Sequence, residues 1–483
     1  MFTINIFKYS HLFRNKIFLF TVFRYCVFFV LFVRGVLVAK YLGPFLFGIF
    51  GILSLLQQYL LYTGLGLNFA INVELSTNKH ASTDFHEKQI SSSLMLTAIM
   101  SGVLILLGTG IQMLDLALFS KYSFNKYAML VGFIAGFNLL QQVMTNVYRF
   151  FGNLARIAFV EALSATVLLF IALSFRGENL VYALLLGMAT LGVIGLAVYA
   201  VRAPFNIKFN LDPLFAKRLI SLGLPLLIYN ASFYLITICA QTVISIYYPI
   251  EIMGYYTLAG NITGAILLGL NSVTWVVFPE ILSKTSYAVG DTEVVETIQK
   301  VNALYGTAVF LLVFTVIICL PVLFFFLPQF KPVQDTLNIL LLSQAVLALS
   351  FGYNCVAIAR NKHITVAKIS LVTVLFVTVI CLIAAYSKLH YDWIAMSVLF
   401  GSFLFTILQT RTSSKIIPNG KQHRSNLKDI LPLGSILSIT CFLIGRLTEH
   451  QCIFGIAGLI LFVLTNKNKV VQLGLFCSQK VKK

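Results

Sequence analysis

The chain has 483 residues, of which 59% are hydrophobic and only 11% are charged, and its formal net charge is +19. Soluble domains carry about a quarter of charged residues, so this composition excludes an ordinary soluble domain. The apolar runs are about 20 residues long, which is the length that a helix needs to cross a hydrocarbon core of about 30 Å. We therefore expect an all-α polytopic membrane protein.

Hydropathy and the breaks between apolar runs place about fourteen transmembrane helices along the chain. The first apolar run follows Lys8, Arg14 and Lys16 and has no obvious small-residue cleavage site, so we interpret it as a retained span rather than a signal peptide. The predicted spans are 17–39, 45–66, 90–111, 127–148, 154–174, 180–200, 219–243, 254–279, 303–327, 335–359, 364–386, 391–410, 430–446 and 451–465.

The Lys and Arg residues test this map, because cytoplasmic loops carry an excess of them. About three quarters of the 35 basic residues fall on one side, which includes both ends of the chain and every second loop. Both termini are therefore predicted to be cytoplasmic. The asymmetry accounts for most of the net charge, so the basic composition does not require a nucleic-acid partner.

A sequence repeat suggests two related halves. Gly48 and Gly254 are 206 residues apart, as are Glu74 and Glu280. This offset joins predicted spans six helices apart, which have the same membrane orientation, and parallel repeats of this kind place substrate sites between the halves. The predicted segments are an N-terminal six-helix bundle at 1–200, a cytoplasmic linker at 201–218, a C-terminal six-helix bundle at 219–410, a basic cytoplasmic loop at 411–429, two extra helices at 430–466 and a basic cytoplasmic tail at 467–483.

Three charged side chains fall well inside the predicted spans: Arg24, Arg34 and Glu161. An embedded charge is costly unless a partner or a hydrated cavity receives it. The two arginines either face such a cavity or extend along their stems to the headgroups. Glu161 is a candidate for ion coupling or for a structural ion pair with one of them.

Uncharged polar residues form stripes along several predicted spans, as in span 4, where they recur at intervals of three and four residues. Such stripes either line a wet cavity or form hydrogen bonds between helices. Amides bind sugar hydroxyls and guanidinium groups bind phosphate, so the combination suggests a cargo that is both glycosylated and phosphorylated. The candidate lumen residues are Arg24, Arg34, Asn138, Gln142, Asn146, Arg149, Asn230, Gln241, Asn261 and Asn271.

Motifs for other chemistry are missing from the sequence. The eight cysteines show no paired spacing, and the seven histidines fall in predicted loops or at span ends. No Walker motif for ATP hydrolysis is present. We expect no cofactor, no metal site and no catalytic residue.

Two stretches of sequence resemble a known family. They are Leu42-Gly43-Pro44 with Phe47-Gly48, and the stretch from Met253-Gly254 to Phe278-Pro279-Glu280. Together with the Arg-bearing first helix, they are similar to the polysaccharide-biosynthesis flippases of the multidrug/oligosaccharidyl-lipid/polysaccharide exporter superfamily.

The resemblance implies two six-helix bundles in a V-shaped arrangement around a central cationic lumen, with two C-terminal helices added. It implies a flippase, not an enzyme, that moves polyprenyl-pyrophosphate-linked oligosaccharide, such as an O-antigen unit for lipopolysaccharide, across the bacterial inner membrane. The expected partners are this lipid-linked substrate and membrane lipids, and other polysaccharide-assembly proteins are further candidates. Gln241 stands where the family pattern leads us to expect an Asp, which argues against carboxylate-based coupling at that position.

Two alternative functions stay open from the sequence. One is an ion-coupled drug or small-metabolite exporter of the same superfamily. The other is a membrane enzyme that acts on lipid-linked sugar, such as a polysaccharide polymerase or ligase. The basic charges in the first helix favour an anionic cargo over a typical drug.

Overall fold

The structure is a computed structural model that describes residues 16–78, 82–116, 120–201, 203–206, 212–265, 291–360, 362–416, 440, 451–467 and 469–471. Within these residues the regular structure is helical, without a β-strand, which confirms the predicted all-α fold class. Eight helices of the described chain are long and apolar enough to cross a membrane, as judged by length and composition.

The chain forms two compact units, Met1–Ala231 and Ser232–Lys483. The described helices of the first unit are α1 (Lys16–Tyr62), α2 (Leu67–Thr77), α3 (Thr83–Met113), α4 (Ala128–Phe150), α5 (Leu154–Ser174), α6 (Gly177–Ala200) and the first part of α7 (Pro213–Tyr247). Those of the second unit are the rest of α7, α8 (250–265), α9 (Asp291–Phe326), α10 (Gln334–Ala348), α11 (Phe351–Ala359), α12 (His363–Tyr386), α13 (Asp392–Ile416) and α14 (Gln451–Thr465). The units therefore join within α7, downstream of the linker predicted at 201–218.

Some predicted segments lie outside the described residues. They are the end of the eighth span from 266, the basic loop from 417, nearly all of the span at 430–446 and the tail from 472. The V-shaped arrangement around a lumen stays a prediction.

The first two predicted spans, 17–39 and 45–66, are joined in α1 and separated only by a break at Gly43, where φ is 68° and ψ is 172°. Glycine accepts this positive φ without a steric penalty, and Pro44 can follow because the first amide of a helix needs no intrahelical acceptor. A second break lies at 248–249, between α7 and α8. It is about 206 residues after the break at Gly43, which is the offset of the sequence repeat.

The predicted span 45–66 extends four residues beyond the helix, because α1 stops at Tyr62, and a separate helix, α2, begins at Leu67. Leu65 and Gly66 both have positive φ, of 49° and 72°, so the chain turns sharply between the two helices. The hydropathy map ends its span at this turn but assigns the residues of α2 to a loop.

Other helix boundaries also differ from the hydropathy map. Helix α3 begins at Thr83 rather than near 90, and α9 begins at Asp291 rather than near 303. The side chain of Ser82 accepts a hydrogen bond from the Phe85 amide and caps α3 within a polar segment. The predicted span 335–359 is divided between α10 and α11.

The start of α2 lies directly against α7. A Cβ atom at Gly66 would lie 2.2 Å from the carbonyl oxygen of Gly223, and one at Gly223 would lie 2.6 Å from the carbonyl oxygen of Leu65. Only glycine on both sides allows the two backbones to approach this closely. Leu67 and Leu219 are buried in the apolar core beside this contact.

A buried carboxylate ties α2 to α3 and α7. Glu74 is 2% exposed, and its Oε1 accepts a hydrogen bond of 2.7 Å from Arg218 Nε. Its Oε2 accepts from Asn78 Nδ2 at 3.0 Å and from Gln89 Nε2 at 3.3 Å. The side chain of Arg218 is 63% exposed, so only the acidic member of the ion pair is removed from solvent.

This asymmetry predicts that Arg218→Met is more destabilising than Glu74→Gln. Removing Arg218 leaves a buried charge uncompensated and should cost about 3 kcal/mol. Glutamine at position 74 removes that charge and leaves an exposed guanidinium in water, which should cost about 1 kcal/mol. Thermal unfolding of the purified variants in detergent measures the difference, with Lys217→Met as the control for loss of a neighbouring exposed cation. Equal losses in the two variants would contradict this account.

Candidate functional site

Arg24 of α1 and Glu161 of α5 form a two-pronged ion pair. Arg24 Nε donates to Glu161 Oε2, and Arg24 Nη2 donates to Glu161 Oε1, each over 3.1 Å. The guanidinium also lies over the ring of Phe28, 5.6 Å from its centroid. About a quarter of each charged side chain is exposed, 26% for Arg24 and 27% for Glu161. The pair is therefore formed between helices but is still accessible.

Arg149 of α4 and Tyr199 of α6 complete a group that we name the Arg24 cluster: Arg24, Glu161, Arg149 and Tyr199. Arg149 is close enough to Arg24 for their like charges to repel. Tyr199 experiences the charge of Glu161, and its hydroxyl lies 3.2 Å from Thr145 Oγ1. The cluster thus brings two guanidinium groups and one carboxylate together from α1, α4 and α5.

Arg34 lies on the same helix as Arg24, about 15 Å further along the axis at 1.5 Å per residue. It is partly buried, and its side chain makes no hydrogen bond or ion pair within the part of the chain that the structure describes. Arg34 therefore differs from Arg24, whose guanidinium is paired with the carboxylate of Glu161.

The predicted stripe on α4 forms hydrogen bonds with the short helix α2. Gln142 Oε1 accepts from Asn68 Nδ2 at 2.8 Å, and Asn146 Nδ2 donates to the Asn68 carbonyl oxygen at 2.9 Å. Arg149 Nη2 donates to Asn72 Oδ1 at 2.7 Å. Three of the candidate lumen residues thus contribute to contacts between helices, which was one of the two interpretations left open by the sequence.

The remaining candidates have different environments. Asn230 donates to the Leu226 carbonyl oxygen within its own helix, at 2.8 Å. Among the described residues, the side chains of Asn138, Gln241 and Asn261 make no hydrogen bond. Asn271 lies outside the described residues.

Sequence reasoning missed Asn68 and Asn72, which supply the partners of the α4 stripe. They are four residues apart and so share one face of α2, a signal that is visible in the sequence. The signal was overlooked because both residues were assigned to the loop after the span at 45–66. Recognising the turn at Gly66 would have revealed a separate helix with its own polar face.

The side-chain types at this site are ones that can bind anions and hydroxyl groups. A guanidinium presents parallel donors that match a carboxylate or a phosphate. Amide side chains such as those on α4 can donate to and accept from hydroxyl groups. The described part of the chain contains no group of three His, Cys, Asp or Glu side chains that could bind a metal ion.

The contact between α2 and α4 predicts a contrast between two asparagines. Asn68→Leu removes the donor to Gln142 and should lower stability by about 1 kcal/mol, the usual scale of such bonds between membrane helices. Asn138→Leu removes no hydrogen bond in the described chain and should leave stability nearly unchanged. Thermal unfolding in detergent tests both variants. A loss as large for Asn138→Leu as for Asn68→Leu would show that the contact has been misread.

Several solved structures have a similar fold at low sequence identity. The lipid II flippase MurJ, in an inward closed conformation, matches with a TM-score of 0.64 and 15% identity over 94% of this chain and 99% of that chain. An inward-facing multidrug resistance MATE family transporter of the MOP superfamily matches with a TM-score of 0.61 and 14% identity over 84% of this chain and 100% of that chain. An outward-facing transporter of the same description has a TM-score of 0.55 and 15% identity, over 85% of this chain and 98% of that chain.

At these identities the structural similarity shows the fold alone, which this chain shares with the MurJ and MATE structures. No curated protein matches the sequence. The sequence model of the family described as polysaccharide biosynthesis protein matches residues 13–286, which is more than half of the chain. The chain therefore belongs to the polysaccharide biosynthesis protein family.

Proposed function

We propose that the chain is a flippase that moves a polyprenyl-pyrophosphate-linked oligosaccharide across the bacterial cytoplasmic membrane by alternating access. The cargo would be an O-antigen unit or another surface polysaccharide repeat unit. Family membership and the transporter fold support the general assignment. The Lys and Arg distribution supports cytoplasmic termini. The proposal gives the chain no catalytic step and no cofactor.

The observation that carries the proposal is a pair of guanidinium groups on one apolar helix. Arg24 presents two donors to a single anionic group, and Arg34 has no hydrogen-bond or ion-pair partner in the described chain. Retaining two such groups in a membrane span is costly without a function that uses them. A pyrophosphate supplies the matching charge and the oxygens that accept paired N–H donors.

Amides with open hydrogen-bonding capacity support the sugar part of the cargo. Asn138, Gln241 and Asn261 have no side-chain hydrogen bond among the described residues, so they can bind hydroxyl groups. The amides of Gln142 and Asn146 are already engaged with Asn68, and we assign them to holding α2 against α4. The proposed sugar contacts are thus fewer than the sequence stripes suggested.

Deleting the gene should cause complete lipid-linked oligosaccharide to accumulate on the cytoplasmic side, with loss of the surface glycan. Analysis of extracted lipid intermediates and of surface glycan measures both effects. A drug exporter would instead leave the glycan normal and make the cells drug-sensitive. A polymerase or ligase would leave single units that have crossed the membrane but are not joined. Either of these results would contradict the proposal.

Replacing either membrane arginine should reduce export without preventing insertion. We expect Arg24→Gln and Arg34→Gln each to lower surface glycan at least about tenfold, because each loses a charge-assisted contact to phosphate. Lysine at either position should retain part of the activity, since it keeps the charge but loses the paired donors.

Lys126→Gln is the matched control for these variants, because it removes an exposed positive charge from the same unit. Quantitative glycan detection, with immunoblotting of the membrane fraction for insertion, measures the result. Normal export in both arginine variants would overturn the role assigned to Arg24 and Arg34.

A further inference from the structure

The Arg24–Glu161 pair shows where an anion is already held in the first unit. The carboxylate of Glu161 binds the Nε and Nη2 edge of the guanidinium, with one oxygen to each nitrogen. Phosphate binds the same edge of arginine in the same two-pronged way. The residue that pairs with Arg24 therefore has the geometry of a phosphate stand-in.

A phosphate that binds Arg24 must compete with Glu161 for the same guanidinium. The Nε and Nη2 donors cannot form parallel bonds to both groups at once, so an anion that takes this edge must displace the carboxylate. An anion that approaches the other edge still experiences repulsion from the negative charge of Glu161. In either case the carboxylate weakens the binding of an anion to Arg24.

The pair is also accessible enough for such an exchange. Each charged side chain is about a quarter exposed, in contrast to Glu74, which is almost fully buried in the ion pair with Arg218. An enclosed carboxylate such as Glu74 cannot easily be replaced by a ligand, whereas the partly exposed Glu161 can. Arg34 provides the internal comparison, because it has no carboxylate partner among the described residues.

We propose that Glu161 is a resident counter-anion that neutralises Arg24 in the empty protein and is displaced by the phosphate of the cargo. Glu161 then determines how tightly the cargo is held, since it lowers the affinity and favours release. This inference rests on the proposed function, because it takes a phosphate-bearing cargo as the displacing group.

Binding of geranyl pyrophosphate, a short prenyl pyrophosphate, tests the inference. The full chain in lipid nanodiscs is titrated by calorimetry at one pH and one ionic strength. Glu161→Gln keeps the shape of the side chain but removes its charge, and it should bind the probe about tenfold more tightly, which corresponds to about 1.4 kcal/mol. Arg24→Gln should lose most of the binding, and the double variant should bind no better than Arg24→Gln.

Two further variants control the measurement. Glu178→Gln removes an exposed carboxylate from the same unit and should leave the affinity within about twofold of the original, because exposed charges are strongly screened by salt. Glu161→Asp keeps the charge but shortens the reach to Arg24, and should give an affinity between those of the unchanged protein and Glu161→Gln. If Glu161→Gln does not fold, the tighter binding expected of Glu161→Asp tests the same inference.

The outcomes separate this inference from the proposed function. If the unchanged protein binds the probe and Arg24→Gln does not, but the folded Glu161 variants bind no more tightly, the counter-anion role is overturned and the anionic cargo stands. A lower melting temperature of Glu161→Gln without tighter binding would show a purely structural ion pair. If the unchanged protein does not bind the probe, the proposed function fails, and the inference fails with it.

Discussion

A charged group within a membrane-spanning bundle is costly unless an opposite charge, a set of hydrogen bonds or a hydrated cavity accompanies it. Much of the first unit follows from this constraint. The Arg24–Glu161 pair brings α1 to α5, and Glu74 with Arg218 brings α2 to α7. Arg149 and Asn72 join α4 to α2. These polar contacts act together with close glycine packing, as at Gly66 and Gly223, to hold particular helices side by side.

The general fold could be predicted from the sequence because a lipid bilayer imposes strong constraints on the segments that cross it. A bilayer demands long apolar runs with internally bonded backbones, and hydropathy reports such runs directly. The errors lie where a helix ends or begins without a matching change in polarity. The division of the span at 335–359 occurs within apolar sequence, so a hydropathy window crosses it without a signal, and the short helix after the turn at Gly66 was assigned to a loop.

The candidate site was only partly accessible for a different reason. The embedded charges Arg24, Arg34 and Glu161 could be identified one by one, because each is unusual within an apolar run. Whether the amides of α4 face a cavity or another helix depends on residues distant in sequence. Asn68 is 74 residues away from Gln142, and no local pattern encodes that contact. Helical spacing shows which side chains share a face of a helix, but it does not show whether that face contacts another helix or a cavity.

The pairing of Arg24 with Glu161 also has a consequence for biogenesis. The two residues are 137 positions apart, so the first helix leaves the ribosome well before its counter-ion has been made. At typical rates of synthesis this interval is on the order of ten seconds. During that time the guanidinium needs water, lipid phosphate or the insertion machinery as a temporary partner. Stable burial of the first helix must therefore wait for the arrival of the fifth.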